Sequence, residues 1–363
     1  MPRLFLGNFD FEHELAGRPR TNLDQNLKDI NRSLASTWLA IAEPDDLILV
    51  EDPPDRPLPH PFITPAELHR AKDFPLTPWG WTPAMVAFAE KHNLRAHHPP
   101  LDVVRRVNSR QFRFQLEQEF NIAPDGATEI HSLDQLTDLI DRLEATDLWI
   151  LKANYGMSGR ERLTGRGPHI PPQLPGWTAR RLKEQQVLIF EPLLKNEGEI
   201  GVQFDIPESG DPQLIGLTGL VSSPQGGFSV SYFGPDSLFT AWHPTLPLWH
   251  DIARRVQAEG YFGPLGLDAM RYKTLDDEIH IRPLQDLNVR FTMGRLALGW
   301  RRLLEPDESA MWSHGVEPST APHSTLERMN SLLHHHGRAP FRVVISSPDL
   351  GRQFSPWSLL ARK

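Results

Sequence analysis

A lysine, a glycine-bearing loop and two arginines follow one another within residues 148–163, LWILKANYGMSGRERL. The apolar run 148–153 has strand character and delivers Lys152. The chain then breaks into a loop holding Gly156, Ser158 and Gly159, with Arg160 and Arg162 after it. This order suits phosphate: glycine brings backbone N–H groups close to an anion because no Cβ intervenes, and the lysine and arginines offset its charge. The order equally suits a plain strand-to-loop turn with solvated charges, and the stretch alone leaves both open.

A second set of chemistry-bearing residues lies near the other end. Residues 263–272 (GPLGLDAMRY) and 278–288 (EIHIRPLQDLN) read as two strands separated by the polar turn KTLDDE. Strand side chains alternate faces, which puts His280, Arg282, Leu284, Asp286 and Asn288 on one side of the second strand. Asp268, on the neighbouring strand, faces away from Leu265, Leu267 and Ala269, so a hairpin lets Asp268, Asp286 and Asn288 converge. Two carboxylates and an amide oxygen are what magnesium takes, with water and phosphate oxygens completing its octahedron. Arg282 and Arg290 flank the same face, adding fixed cations of the kind that grip phosphate. Aspartates at strand ends with an asparagine in a turn remain the plainer alternative.

The elements that must position these residues are read from pattern. Residues 1–100 form an α/β unit with strands at 4–6, in TWLAIA and in LILVED, and helices over 23–35 and 79–94; Thr82 caps the latter and Pro83 opens it. Their alternation predicts a small, mostly parallel sheet. Trp79 and Trp81 either flank a ligand or wedge a loop against the core. From 101 onward, Asn108 or Ser109 caps a helix ending by Asn121, and SLDQLTDLIDRLEA opens with a capping-box pair, Ser132 and Gln135. Residues 185–192 read as a buried strand. Beyond Glu197, strands follow one another with short connections and so pair antiparallel. Helices are predicted over 248–260, 293–304 and LERMNSLLHHH, and a last strand in FRVVISS. The histidine run 334–336 points in different directions on a helix and is a poor metal cage. Proline clusters at 51–61 and 168–175 predict extended connectors and no helix there.

Composition narrows the function classes. The 363-residue chain has room for two or three domains, and 39% hydrophobic with 23% charged residues fits a globular protein. A net charge of −8 argues against a broad nucleic-acid surface, and the lack of cysteine excludes disulfides and thiolate chemistry. No apolar run has membrane-spanning length, so no membrane role is expected and the cytoplasm is the expected location. No GxxxxGKS/T, GxGxxG, HExxH or GxSxG motif is present.

Taken together, the order of parts resembles the ATP-grasp superfamily. The matching residues are Arg110 at a helix start, Lys152 before YGMSGRER, the strand-to-hinge segment VLIFEPLL, Glu199 in NEGEIGVQF, Asp268 in GLDAM, and Asp286, Asn288 and Arg290 in PLQDLNVR. The resemblance implies a mixed α/β and α+β ATP-grasp fold. Its parts are a pre-ATP-grasp unit over 1–100, a central subdomain over 101–190 and a C-terminal subdomain over 191–363, with the nucleotide held between the latter two. It further implies ATP and Mg2+, with two ions allowed. Lys152 and Arg110 would bind phosphate; Gly156, Ser158 and Gly159 would lie in the loop that closes over it; Glu191 and Leu193 would form the adenine hinge and Glu199 would take the ribose. Asp268, Asp286 and Asn288 would hold metal, with Arg290, Arg160 and Lys152 as catalytic cations. Two positions depart from the family pattern: Arg110 stands where lysine is usual, and Asp286 where glutamate is usual.

The implied activity is an ADP-forming carboxylate–amine ligase that makes an amide through an acyl phosphate. Its partners would be small carboxylate and amine substrates, an amino acid or peptide among them, and a homodimer is compatible. A phosphotransferase, and a nucleotide-binding protein without catalysis, are the alternatives. Asn8, Trp81, Arg105 and Tyr232 are candidates for the substrate side.

Overall fold

The computed structural model describes residues 1–18, 25–54, 57–156, 161–222, 228–274, 276–314, 342–351 and 353–362. Three sheets carry the fold among them. The first is built from β1 (Leu4–Leu6), β2 (Leu47–Leu49), β3 (Phe62–Ile63) and β4 (Leu76–Pro78), all parallel in the order β3-β2-β1-β4, as expected. Its strands are apolar without alternation because both faces are covered: Leu4 and Leu6 pack with Met85 and Ala89, and Phe5 packs with Trp38. Met85 and Ala89 lie on α3 (Pro83–Lys91), which follows α1 (Phe11–Leu15) and α2 (Gln25–Leu34); Thr82 Oγ1 caps it, accepting from the Met85 N–H at 3.3 Å. One expectation fails here. TWLAIA is no strand; Ala35–Ala40 is a 3-10 helix whose Trp38 stacks on Phe5 at 4.8 Å. A short, wholly apolar run carries no period that separates buried strand from buried helix.

Next come α4 (Leu101–Val107) and α5 (Arg110–Glu119), the latter capped by Ser109. The second sheet comprises β5 (Thr128–Ile130), β6 (Leu148–Ala153), β7 (Arg162–Arg166) and β8 (Leu188–Pro192), antiparallel in the order β5-β8-β6-β7. Two helices pack on it. In α6 (Leu133–Ile140), Ser132 Oγ accepts from Gln135 N–H at 3.1 Å, while Gln135 reaches back to the N–H of His131 at 2.8 Å, one residue earlier than a standard capping box. The second, α7 (Leu174–Gln185), corrects the expectation that the 168–175 proline cluster excludes helix: Pro175 lies in its first turn, where no backbone N–H is missed.

The third sheet has eight strands, ordered β13-β12-β9-β10-β11-β14-β16-β15. They are β9 (Lys195–Ile206), β10 (Gln213–Ser222), β11 (Phe228–Phe233), β12 (Gly263–Lys273), β13 (Ile279–Asn288), β14 (Ser309–His314), β15 (Arg342–Ser346) and β16 (Trp357–Arg362), with helices α8 (Leu246–Ala258) and α9 (Met293–Gly299). Every neighbouring pair is antiparallel. β14 and β16 were not foreseen; the helix expected through LERMNSLLHHH, with its histidines, lies outside the described residues. One core runs from Phe5 and Trp38 through Ile200 and Val202 to Trp300 and Trp357, joining the first sheet to the third. Trp357 Nε1 donates to Ser36 Oγ at 3.1 Å across that seam, and Phe291 N–H to Trp79 O at 3.1 Å.

Candidate active site

Alternation along β6 sends Trp149, Leu151 and Ala153 into a core with Leu188 and Phe190, leaving Lys152 on the other face. There Lys152 Nζ lies 2.8 Å from Glu191 Oε2 of β8. Glu191 is fully buried and also accepts from Arg282 of β13 through two N–H groups, each at 3.0 Å, and from Arg113 of α5. Burial lowers Lys152 to about 8, Glu191 opposing and Arg282 and Arg113 adding to the effect. Glu191 itself is held well below the usual carboxylate range: burial works against ionisation, but Arg113, Lys152 and Arg282 outweigh it.

The β12–β13 hairpin supplies the acids. Asp268 sits directly opposite Asp286 and Gly266 opposite Asn288; Asn288 Nδ2 donates to Asp268 Oδ2 at 2.9 Å. Register then slips, with Met270 opposite Arg282, so β13 bulges between the two pairs. The bulge overturns one expectation: Leu284 does not share a side with Asp286 but is buried in the core with Leu267 and Leu287. Arg110, at the start of α5, donates to Ala153 O at 2.7 Å and places Nη2 3.5 Å from Asp286 Oδ2. Burial and then the negative fields of Asp286 and Glu199 push Asp268 up to about 7. Asp286 moves the other way; burial opposes ionisation, but Arg110 and then Lys152 favour it. The lysine strand and the acidic hairpin therefore face each other, each within the other's field.

Magnesium fits this donor set in kind. Two facing carboxylates crowd each other enough to raise one of them, which a divalent cation would relieve, and hard cations prefer such oxygens. The Asn288 Oδ1 already accepts from Arg290 Nη2 at 3.0 Å, leaving one lone pair. Among the described residues no group of three or more His, Cys, Asp or Glu side chains could hold a metal.

Solved structures share this arrangement of sheets. A biotin carboxylase from Campylobacter jejuni, solved as a β,γ-ATP complex, matches with a TM-score of 0.51 at 14% identity, over 82% of this chain and 73% of its own. N5-carboxyaminoimidazole synthetase from Staphylococcus aureus matches at 0.51 and 10% identity, over 92% and 90% of the two chains. This is an ATP-grasp fold. The biotin carboxylase domain of Hydrogenobacter thermophilus 2-oxoglutarate carboxylase, in complex with MgADP, ADP and bicarbonate, matches at 0.51 and 10% identity, over 78% and 69%. No protein-family model matches the sequence, and no curated protein does.

Within the ATP-grasp frame the expected site residues differ in where they lie. Lys152, Arg110, Asp268, Asp286, Asn288 and Glu199 are brought together; Glu199 lies opposite Met270 in β9–β12 register and accepts from Gln285 Nε2 at 3.2 Å. Arg290 joins them through Asn288, but its Nε also donates to Glu12 Oε1 at 2.6 Å and its guanidinium lies over Trp79 at 5.4 Å. Leu193 is exposed just past β8, its N–H bonded to Leu148 O at 2.8 Å, whereas the Glu191 side chain is closed off by ion pairs. Gly156 follows β6 and is partly buried; Ser158, Gly159 and Arg160 lie outside the described residues. Of the substrate-side candidates, Asn8 Nδ2 donates to Gly80 O at 2.8 Å, Trp81 packs on His98, the Arg105 backbone O accepts from Tyr155 Oη at 3.1 Å while the residue itself is exposed, and Tyr232 lies across Gly219. Arg113 and Glu117, spaced i to i+4 on α5, were missed because that spacing reads as an exposed helix pair.

No helix among the described residues is long and apolar enough to cross a membrane.

Proposed function

We propose that the protein is an ATP- and magnesium-dependent carboxylate–amine ligase that forms an amide or peptide bond and releases ADP and phosphate. The observation that carries the reading is the cluster in which Lys152 and Arg110 face Asp286 and, beside it, Asp268. Fixed cations opposite paired carboxylates suit a metal-bound polyphosphate and little else of similar size. Support also comes from the fold's relatives, two of which were solved with adenine nucleotides.

In this reading Lys152 and Arg110 bind phosphate, the hinge segment at Glu191 and Leu193 lies beside the adenine, Glu199 takes the ribose, and Gly156, Ser158, Gly159 and Arg160 cover the terminal phosphates. Asp268, Asp286 and Asn288 would hold magnesium, which when bound neutralises charge on the phosphate oxygens. A substrate carboxylate attacks the γ-phosphate, and an amine displaces phosphate from the acyl phosphate. Arg290 grips the acyl phosphate after exchanging its bond to Glu12. The three units, 1–100, 101–190 and 191–363, are the substrate side, the lysine-strand side and the metal side of the cleft.

Purified protein with MgATP and a panel of carboxylates and amines tests the reading. ADP and phosphate should appear in equal amounts only when both substrates are present, and Lys152→Met should lower the rate by at least about a hundredfold. ADP without free phosphate would indicate phosphoryl transfer instead, and nucleotide binding without turnover across the panel would remove the ligase assignment.

A further inference from the structure

Five charged side chains are buried together beside Asp286, and Lys152 is the most exposed of them. Arg113, Glu117 and Glu191 are wholly inaccessible, Arg282 is 4% exposed and Lys152 9%. Glu117 accepts from Arg113 and from Arg282 through Nε at 3.0 Å and Nη2 at 2.8 Å. Both arginines also bind Glu191, the partner of Lys152. Three cations thus meet two carboxylates in this group. Arginine keeps its proton throughout the working range, so any shortage of negative charge falls on the lysine.

We propose that Glu117 is a positioning residue for the nucleotide site: through Arg113 and Arg282, its buried carboxylate keeps Lys152 a charged ammonium at the cleft wall. The proposal rests on the nucleotide reading only for what that ammonium binds. Without Glu117, both arginines would rely on Glu191 alone, and Lys152 would be the third cation on a single carboxylate. The charged groups acting on Lys152 are Glu191 from β8, Arg282 and Asp286 from β13 and Arg113 from α5, with Arg162 opposite it in β7; Glu117 meets Arg113 and Arg282, and Arg110 meets Asp286. Burial raises the carboxyl of Glu117, Arg113 and Arg282 oppose that and Glu191 adds to it; three guanidinium N–H groups donate to its two oxygens.

The test is a charge-sign experiment on the full chain. Lysine is isotope-labelled at the ε-position, the Lys152 resonance is assigned by its loss in Lys152→Met, and it is titrated by NMR in the apo protein. Glu117→Gln removes a negative neighbour and should move the Lys152 titration down by roughly one to two pH units; Arg282→Met removes a positive one and should move it up. A role confined to packing would not produce opposite shifts. An unmoved titration, or shifts of the same sign, overturns the proposal; if Glu117→Gln does not fold, the direction in Arg282→Met decides. The alkaline loss of ADP affinity should follow Lys152 in each variant. Opposite NMR shifts with no ADP binding at any pH would uphold the role of Glu117 and remove the nucleotide reading instead.

Discussion

Arg110 and Asp286 both depart from the residues that the ATP-grasp resemblance leads one to expect, and they are partners, 3.5 Å apart. A longer, forked cation reaches an acid one methylene shorter, so the two changes offset each other's length. Restoring either alone should therefore disturb the site. Arg110→Lys and Asp286→Glu should each weaken Mg-nucleotide binding by about tenfold, and the double variant should recover most of the loss; additive losses in isothermal titration would contradict the pairing. Asp268 gives a pH signature in metal-free buffer. Its folded value, about 7, lies above the ordinary 3.8, so between those values the folded protein holds a proton that the unfolded chain has released. Stability conferred by that proton is present at low pH and is lost as pH rises through 7. Asp268→Asn should melt higher than the parent above pH 7, with the gain vanishing toward pH 4; a difference constant with pH would refute the crowding of Asp268. At this scale Lys152 and the aspartates were legible because strand alternation and loop glycines carry their own logic. Glu117 was not, because its second partner, Arg282, lies 165 residues away in sequence.

The elements that hold these residues differ in how plainly they were written. Caps were plain: Thr82, Ser109 and Ser132 each have a hydroxyl that satisfies a first-turn N–H three residues on, and all three helices start there. The hairpin was plain too, but not its bulge, since a register slip leaves no mark on apolar and polar alternation. β7 and α7 were hidden, the first by a polar sequence, RLTGR, and the second by prolines. The face of β6 opposite Lys152 is fixed by Trp149, which lies flat against Gly165 of β7; a Cβ on Gly165 would come within 1.9 Å of the indole. Trp149 is 1% exposed and its Nε1 donates to Gly167 O at 3.1 Å, so it has no room to yield. Gly165→Ala should cost about 1–3 kcal/mol in urea unfolding. An unchanged midpoint would mean that the indole moves freely, and the alignment of Lys152 would then need another cause.

Across the whole molecule, the three sheets are tied to one another by polar bonds as well as by apolar contact. Arg282 reaches from the third sheet to Glu191 of the second and Glu117 of α5, while Arg290 reaches to Glu12 of the first unit. The parallel sheet near the start and the antiparallel strands beyond Glu197 were legible, since alternating strands and helices and strands joined by short connections leave distinct patterns. Their mutual arrangement was not, because it is made by long-range pairs such as Trp357 with Ser36. The central claim is that Lys152 and the Asp268–Asp286 hairpin serve one nucleotide-and-metal cleft. Titration calorimetry of ADP with and without magnesium, on the parent, Lys152→Met, Asp268→Asn and the double variant, tests it most directly. One site per chain is expected, with at least about tenfold weaker binding in each single variant, loss of the magnesium effect in Asp268→Asn, and a double variant less impaired than the product of the two. Binding unchanged by both substitutions, or no uptake of nucleotide by the parent protein with magnesium present, would contradict it.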